Sequence, residues 1–176
     1  MPKPSSSSLL TLDNQLCFAV HAAAHAFAQA YRPLLRPLRL TYPQYLVMLL
    51  LWEEDDRTVG ELGAALRLDS GTLSPLLKRL AAAGYVARAR DPNDERVTRV
   101  ALTARGAALK KKAARAPEAM LAACGLELDR LAELRDEMRR LGDALRAAAR
   151  GQRPSSRLAE GGRGKRGGRP GAAVAR

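Results

Sequence analysis

Two cysteines are the residues best able to do chemistry in this chain: Cys17, within the stretch LDNQLCFAVHAAAHAFAQAY, and Cys124. Two thiols do not make a disulfide framework, so in a reducing compartment they are inert, metal-bound or redox-active. The stretch reads as a helix start with Asp13 as N-cap, which sets Cys17 at about the fourth helical position. The positive end of the helix dipole is then close and favours the thiolate. A thiolate is the form that attacks a peroxide, and its first product is a sulfenic acid. The bland alternative is a small buried hydrophobe. His21 and His25 follow Cys17 at i+4 and i+8. A protonated His21 would stabilise the thiolate. The same row could hold Zn²⁺ with ligands from a second chain. No acidic or cysteine cluster completes such a set nearby, so no metal or other cofactor is assigned, and the histidines are read as lining a pocket or an interface.

The second chemistry is electrostatic. The net charge is +12, and half of it lies in the tail from Gly151 to Arg176, where seven Arg or Lys face one Glu. A basic body with a basic tail points to a polyanion, most often nucleic acid. The tail offers no apolar face to a membrane surface. No run of about 18 apolar residues appears, so no spanning helix is expected. The start MPKPSSSSLL does not read as a secretory signal, and a cytoplasmic protein is expected.

The elements that must position these groups are mostly helical, because Ala and Leu dominate and aromatic residues make up only 4%. The first helix should run to about Leu35, bent by Pro33 and left at Pro37. Thr41 with Gln44 and Pro43 resembles a capping box opening a buried helix over YLVMLLLW. Thr58 with Glu61 makes a second box, for a short helix to about Leu66. LDSG is a turn, and Asp69 or Ser70 caps the next helix. Leu73, Leu76, Leu77 and Leu80 give that helix one apolar face, and Gly84 ends it. This is a helix-turn-helix. YVARAR and VTRVAL alternate around the turn DPNDER, a β-hairpin. A helix-turn-helix followed by a hairpin is a winged helix. From Thr103 a long helix should reach about Gly125 with a bend at Pro117. A last helix should span Leu126 to Arg150 with Leu128, Leu131, Leu134, Met138, Leu141 and Leu145 on one side. The tail GGRGKRGGRPG is low-complexity and expected to be disordered.

On the face opposite the leucines, or on its flanks, lie Ser70, Thr72, Ser74, Lys78 and Arg79. Small hydroxyls near a helix N-terminus can approach bases or phosphates, and the two cations can neutralise phosphates or reach guanine. Pro75 removes one helical hydrogen bond and offers either an apolar contact for a thymine methyl or a local kink. In the wing turn, Arg96 can enter a narrow minor groove, with Asp94 holding its guanidinium in a fork.

LDNQLCFA, LTYPQYLVMLLLWE, TVGELGAALRLDSGTLSPLLKRL and DPNDERVTRVALTARG together resemble the MarR family of winged-helix regulators, and within it the OhrR branch of organic-hydroperoxide sensors. The resemblance runs from about Leu12 to Arg150. It implies a mainly α fold with a small β-wing: a winged helix-turn-helix at about 41–103, dimerisation helices at about 12–37 and 104–150, a mobile N-terminus at 1–11 and a disordered basic tail at 151–176. It also implies a homodimer on a pseudo-palindromic double-stranded operator. By this resemblance Tyr31 and Tyr42 hydrogen-bond the reactive sulfur of the partner subunit, and Cys124 is the resolving cysteine for it. Cys17 and Tyr31 are 14 residues apart, about 21 Å along one helix, so a contact between them needs a second chain. His21 stands where this branch often has a tyrosine. The expected function is a repressor that leaves its operator when an organic hydroperoxide oxidises Cys17, not an enzyme. The competing expectations are a related regulator answering a phenolic ligand or a metal in the same pocket, a thiol peroxidase, and a nonspecific nucleoid protein driven by the tail.

Overall fold

The computed structural model describes residues 10–151. The expected mobile N-terminus, except for its last two residues, and the basic tail beyond Gly151 lie outside them. Among the described residues, seven α-helices and a three-stranded sheet follow in order: α1 (Leu16–Leu35), α2 (Tyr42–Glu53), β1 (Arg57–Thr58), α3 (Val59–Leu66), α4 (Ser70–Ala82), β2 (Val86–Arg90), β3 (Thr98–Leu102), α5 (Ala104–Ala113), α6 (Arg115–Cys124) and α7 (Leu128–Ala149). No helix among the described residues is long and apolar enough to cross a membrane.

The helix starts follow from short-range hydrogen bonds. At α2 the Thr41 N–H and hydroxyl both donate to Gln44 Oε1, at 2.9 and 3.1 Å. At α3 the box is reciprocal: Thr58 N–H donates to Glu61 Oε2 (2.7 Å) and Glu61 N–H to Thr58 Oγ1 (3.1 Å). Each occupies donors that a helix end leaves open. At α4 the cap is Asp69, whose Oδ1 accepts from Thr72 N–H at 2.8 Å. Gly84 takes φ +73 after α4, and Tyr85 N–H then reaches back to Leu80 O (3.0 Å). That left-handed turn releases the chain into β2.

Three expectations are corrected. Asp13 does not cap α1: Leu12–Asn14 form a 3₁₀ turn and Gln15 is the cap, which moves Cys17 from the fourth helical position to the second. The helix after the wing does not merely bend at Pro117. It breaks at Ala114, and Pro117 becomes the third residue of α6. A proline ring collides with the carbonyl four residues earlier, here Ala113, so the interruption falls upstream of the proline itself. The hairpin is not the whole sheet, because β1 pairs antiparallel with β3 on the side away from β2.

The core lies among α2, α3, α4 and the strands. Tyr45, Val47, Met48 and Leu51 of α2 meet Leu62, Leu73, Leu77 and Leu80, each at most 1% exposed, with Val100 of β3. Leu76, expected in this face, is half-buried at its edge. Residues up to Gly125 form one compact unit and those from Leu126 another. In the second unit α7 begins two residues later than expected and buries no residue. Leu128, Leu134, Met138 and Leu145 of its apolar row are exposed.

Candidate nucleic-acid interface and thiol site

α4 turns its leucines inward, so Ser70, Thr72, Pro75, Lys78 and Arg79 are exposed and Ser74 is half-buried. The helix N-terminus therefore stands open with two cations on the following turns, a surface suited to phosphate and base edges. Thr72 has a narrower role than its type suggests. Its hydroxyl donates to Asp69 Oδ2 at 2.8 Å, so toward a ligand it can only accept. Asp69 is held below its usual carboxylate range, first by the Thr72 N–H and then by that hydroxyl.

The wing differs from the expected fork. Asp94 Oδ1 accepts from the backbone N–H of Arg96 (2.9 Å), which shapes the turn. The Arg96 guanidinium is exposed and pairs with no carboxylate among the described residues. The forked arginine is Arg99, whose Nε donates to Asp56 Oδ1 (3.0 Å) and Nη1 to Asp91 Oδ2 (3.3 Å). Alternation placed Arg99 on a strand, but nothing local pointed to Asp56, 43 positions earlier.

The thiol residues separate into two places. Cys17 is exposed on the first turn of α1, and its S–H donates to Gln15 Oε1 at 3.7 Å. No bond joins it to His21 among the described residues, and His25 shares a hydrogen bond with Gln29 at 3.3 Å. Cys17, His21 and His25 are not gathered into a group that could hold a metal ion, and no such group of three occurs among the described residues.

Tyr31 and Tyr42 come together toward the far end of α1 from Cys17. Tyr31 stacks on Tyr42 with ring centroids 4.8 Å apart and tilts against Tyr45 at 5.6 Å. Burial pushes the Tyr31 phenol up to about 12, and the anionic forms of Tyr45, Tyr42 and Cys124 add to the effect, so Cys124 lies within electrostatic reach of that ring. α6 packs on α1, which is what carries Cys124 there. Burial raises Tyr42 as well. Two phenols that stay protonated at neutral pH keep their hydrogen-bond donors. Sequence reasoning passed over Tyr45, although its i+3 spacing from Tyr42 places both on one side of α2.

Residues 29–113 match the family model described as Transcriptional regulator SarA/Rot. The chain is 53% identical over 139 residues to HTH-type transcriptional regulator TtmR of Methylorubrum extorquens (strain PA1), spanning 79% of this chain and 71% of that protein. It is 46% identical over 112 residues to the Organic hydroperoxide resistance transcriptional regulator of Bacillus subtilis (strain 168), spanning 64% and 76%. Among solved structures, reduced AbfR bound to DNA superposes with a TM-score of 0.66 at 36% identity, over 76% of this chain and 93% of that one. A winged helix with an open recognition surface, matched over most of its length by such proteins, has one assignment: the chain belongs to the MarR/SarA family of DNA-binding, winged-helix transcriptional regulators, and not to an enzyme family.

Proposed function

We propose that the protein is a homodimeric repressor that binds a pseudo-palindromic operator while Cys17 is reduced and releases it when an organic hydroperoxide oxidises that sulfur. The observation that carries this reading is the pair of stacked, protonated phenols, Tyr31 and Tyr42, with Cys124 in electrostatic reach of Tyr31 and Cys17 of the same chain remote along α1. The separation along α1, about 21 Å, calls for a second copy. The exposed apolar side chains Leu16, Phe18, Val20 and Phe27 of α1, and the unburied row of α7, supply surface for that copy. In the dimer, phenols of one subunit donate to the thiolate of the other and stabilise it. The kinship with a regulator named for organic hydroperoxide resistance supports the inducer class.

The chemistry balances as follows. The Cys17 thiolate attacks the terminal oxygen of the hydroperoxide. The S–O bond forms, the O–O bond breaks, and the alkoxide leaves and takes a proton to become the alcohol. Cys17 is now a sulfenic acid. The thiolate of the partner subunit's Cys124 then attacks that sulfur. An S–S bond forms and hydroxide leaves, to be protonated to water. Joining the N-terminal turn of α1 to the end of α6 of the other chain draws the two helices together and shifts the wings from their register on the duplex.

The test is operator binding by the reduced protein before and after one equivalent of cumene hydroperoxide, in wild type, Cys17→Ser and Cys124→Ser. Cys17→Ser is expected to bind and to ignore the peroxide. Release that persists in Cys17→Ser would refute the sensor assignment.

A further inference from the structure

The wing is fastened to the body by more than its ladder. Arg99, on β3, directs Nε to Asp56 Oδ1 (3.0 Å), Nη1 to Asp91 Oδ2 (3.3 Å) and Nη2 to the backbone oxygen of Asp56. Asp56 lies in the loop between α2 and β1, and Asp91 directly follows β2, where the hairpin leaves the sheet. One guanidinium therefore joins three segments. A planar fork with five fixed donors can do this; an ammonium cannot satisfy the same directions. The loop is itself held. Asp55 Oδ1 accepts from Leu102 N–H at 2.7 Å, and Arg57 pairs with Glu54 at 2.7 Å. Asp56 takes φ +57, a conformation a non-glycine residue keeps where its surroundings hold it, and Arg99 bonds both its side chain and its carbonyl.

Asp91 is also the first residue of the wing turn. Its side chain accepts from Asn93 N–H (2.8 Å), and its N–H donates to Val97 O (2.9 Å). Arg96 stands within this turn with its guanidinium paired to no carboxylate among the described residues. Two five-residue strands and a two-residue third strand give the hairpin little rigidity of their own.

We propose that Arg99 is a positioning residue for DNA binding: by clamping β3 and Asp91 to the α2–β1 loop it holds the wing at the angle that presents Arg96 to the duplex. This rests on the reading of the wing as a DNA-contacting element. Partly exposed ion pairs contribute little to overall stability, so the clamp acts on orientation far more than on folding. A wing that pivots freely must be ordered at the moment of binding, and that cost appears in affinity.

The experiment uses the full-length reduced protein and a duplex that the wild type selects from a random library. Binding is measured by fluorescence anisotropy for Arg99→Gln, Arg99→Lys, Arg96→Ala and Arg96→Ala/Arg99→Gln, with hydroxyl-radical footprints of the flanking minor grooves. Arg99→Gln is expected to weaken binding about tenfold. It should lose the same flanking protection that Arg96→Ala loses, while melting within about 3 °C of wild type. Arg99→Lys should not rescue it. The double variant should bind no more weakly than Arg96→Ala, because a residue that acts through Arg96 has nothing left to position. Asp91→Asn, which removes one arm of the clamp and no cation, should reproduce the loss in part. Wild-type affinity for Arg99→Gln, or losses that simply add in the double variant, would overturn the proposal. Wild-type affinity for Arg96→Ala would instead remove the wing contact itself, and the proposal with it.

Discussion

Gly106→Ala is the substitution that the packing of this protein should tolerate least. Gly106 is the third residue of α5. Its N–H donates to Thr103 Oγ1 (3.0 Å), and its carbonyl accepts from the buried indole N–H of Trp52 (3.0 Å). A Cβ added there would lie 1.9 Å from the carbonyl oxygen of Tyr85 and 3.3 Å from Leu102 Cδ2. A carbon and an oxygen rest at about 3.3 Å or more, so the shortfall is about 1.4 Å. No rotamer relieves it, because the obstacle is main chain. That carbonyl is also fixed: Thr103 N–H bonds it at 3.1 Å and Thr103 Oγ1 at 3.2 Å. Relief requires α5 to move off the start of β2, which strains or breaks those bonds and the one from Trp52. Overpacking costs about 1–3 kcal/mol. One or two lost hydrogen bonds add about 1 kcal/mol each. The better helix propensity of alanine returns at most about 1 kcal/mol. The net is on the order of 3 kcal/mol, or a fall in Tm of roughly 10 °C at about 2–4 °C per kcal/mol for a chain of this size. Thermal unfolding followed by far-UV circular dichroism measures it. A variant that melts within about 3 °C of wild type would show that α5 shifts freely, and the account of this joint would be wrong.

Two further outcomes are expected. In the proposed dimer, Tyr31→Phe would remove one phenol from the partner's thiolate. A charge-assisted hydrogen bond of about 1.5–3 kcal/mol would be lost, so the Cys17 sulfur should react roughly ten- to a hundredfold more slowly at neutral pH. The rate of alkylation by iodoacetamide at neutral pH reads this directly, and an unchanged rate would remove Tyr31 from the site. The acid limb of stability should depend on Asp69. Its carboxyl is depressed in the fold by Thr72, so its stabilising effect is complete above the ordinary aspartate value of about 3.9 and is lost as pH falls through the lower folded value. Asp69→Asn keeps a competent N-cap but cannot titrate. Urea midpoints from pH 6 to pH 2 should therefore fall less steeply in Asp69→Asn than in wild type, and parallel curves would contradict the assignment.

What could be read from the sequence is what neighbours within a few residues decide. The capping pairs Thr41–Gln44, Thr58–Glu61 and Asp69–Thr72 span three positions each, and the leucine row of α4 and the alternation of the wing are periodicities of one element. These are enough to write down a winged helix, and the quoted motifs led to the regulator family. The start of α1 escaped because several polar residues there could cap it, and the geometry of the preceding turn chose Gln15 over Asp13. The position of the break before α6 escaped because a proline acts on a carbonyl four residues away. The rest was settled by contacts between distant segments. Tyr31 meets Tyr42 because Arg36–Leu38 form a tight 3₁₀ turn that folds α2 back on α1. Gly106 is required because Tyr85 passes beneath it, and Trp52 completes that joint across 54 positions. Arg99 rather than Arg96 became the forked arginine because β1 brings Asp56 alongside β3. Local hydrogen bonds and periodicity are fixed before the chain closes on itself; which guanidinium finds which carboxylate is fixed only by the path of the loops between them.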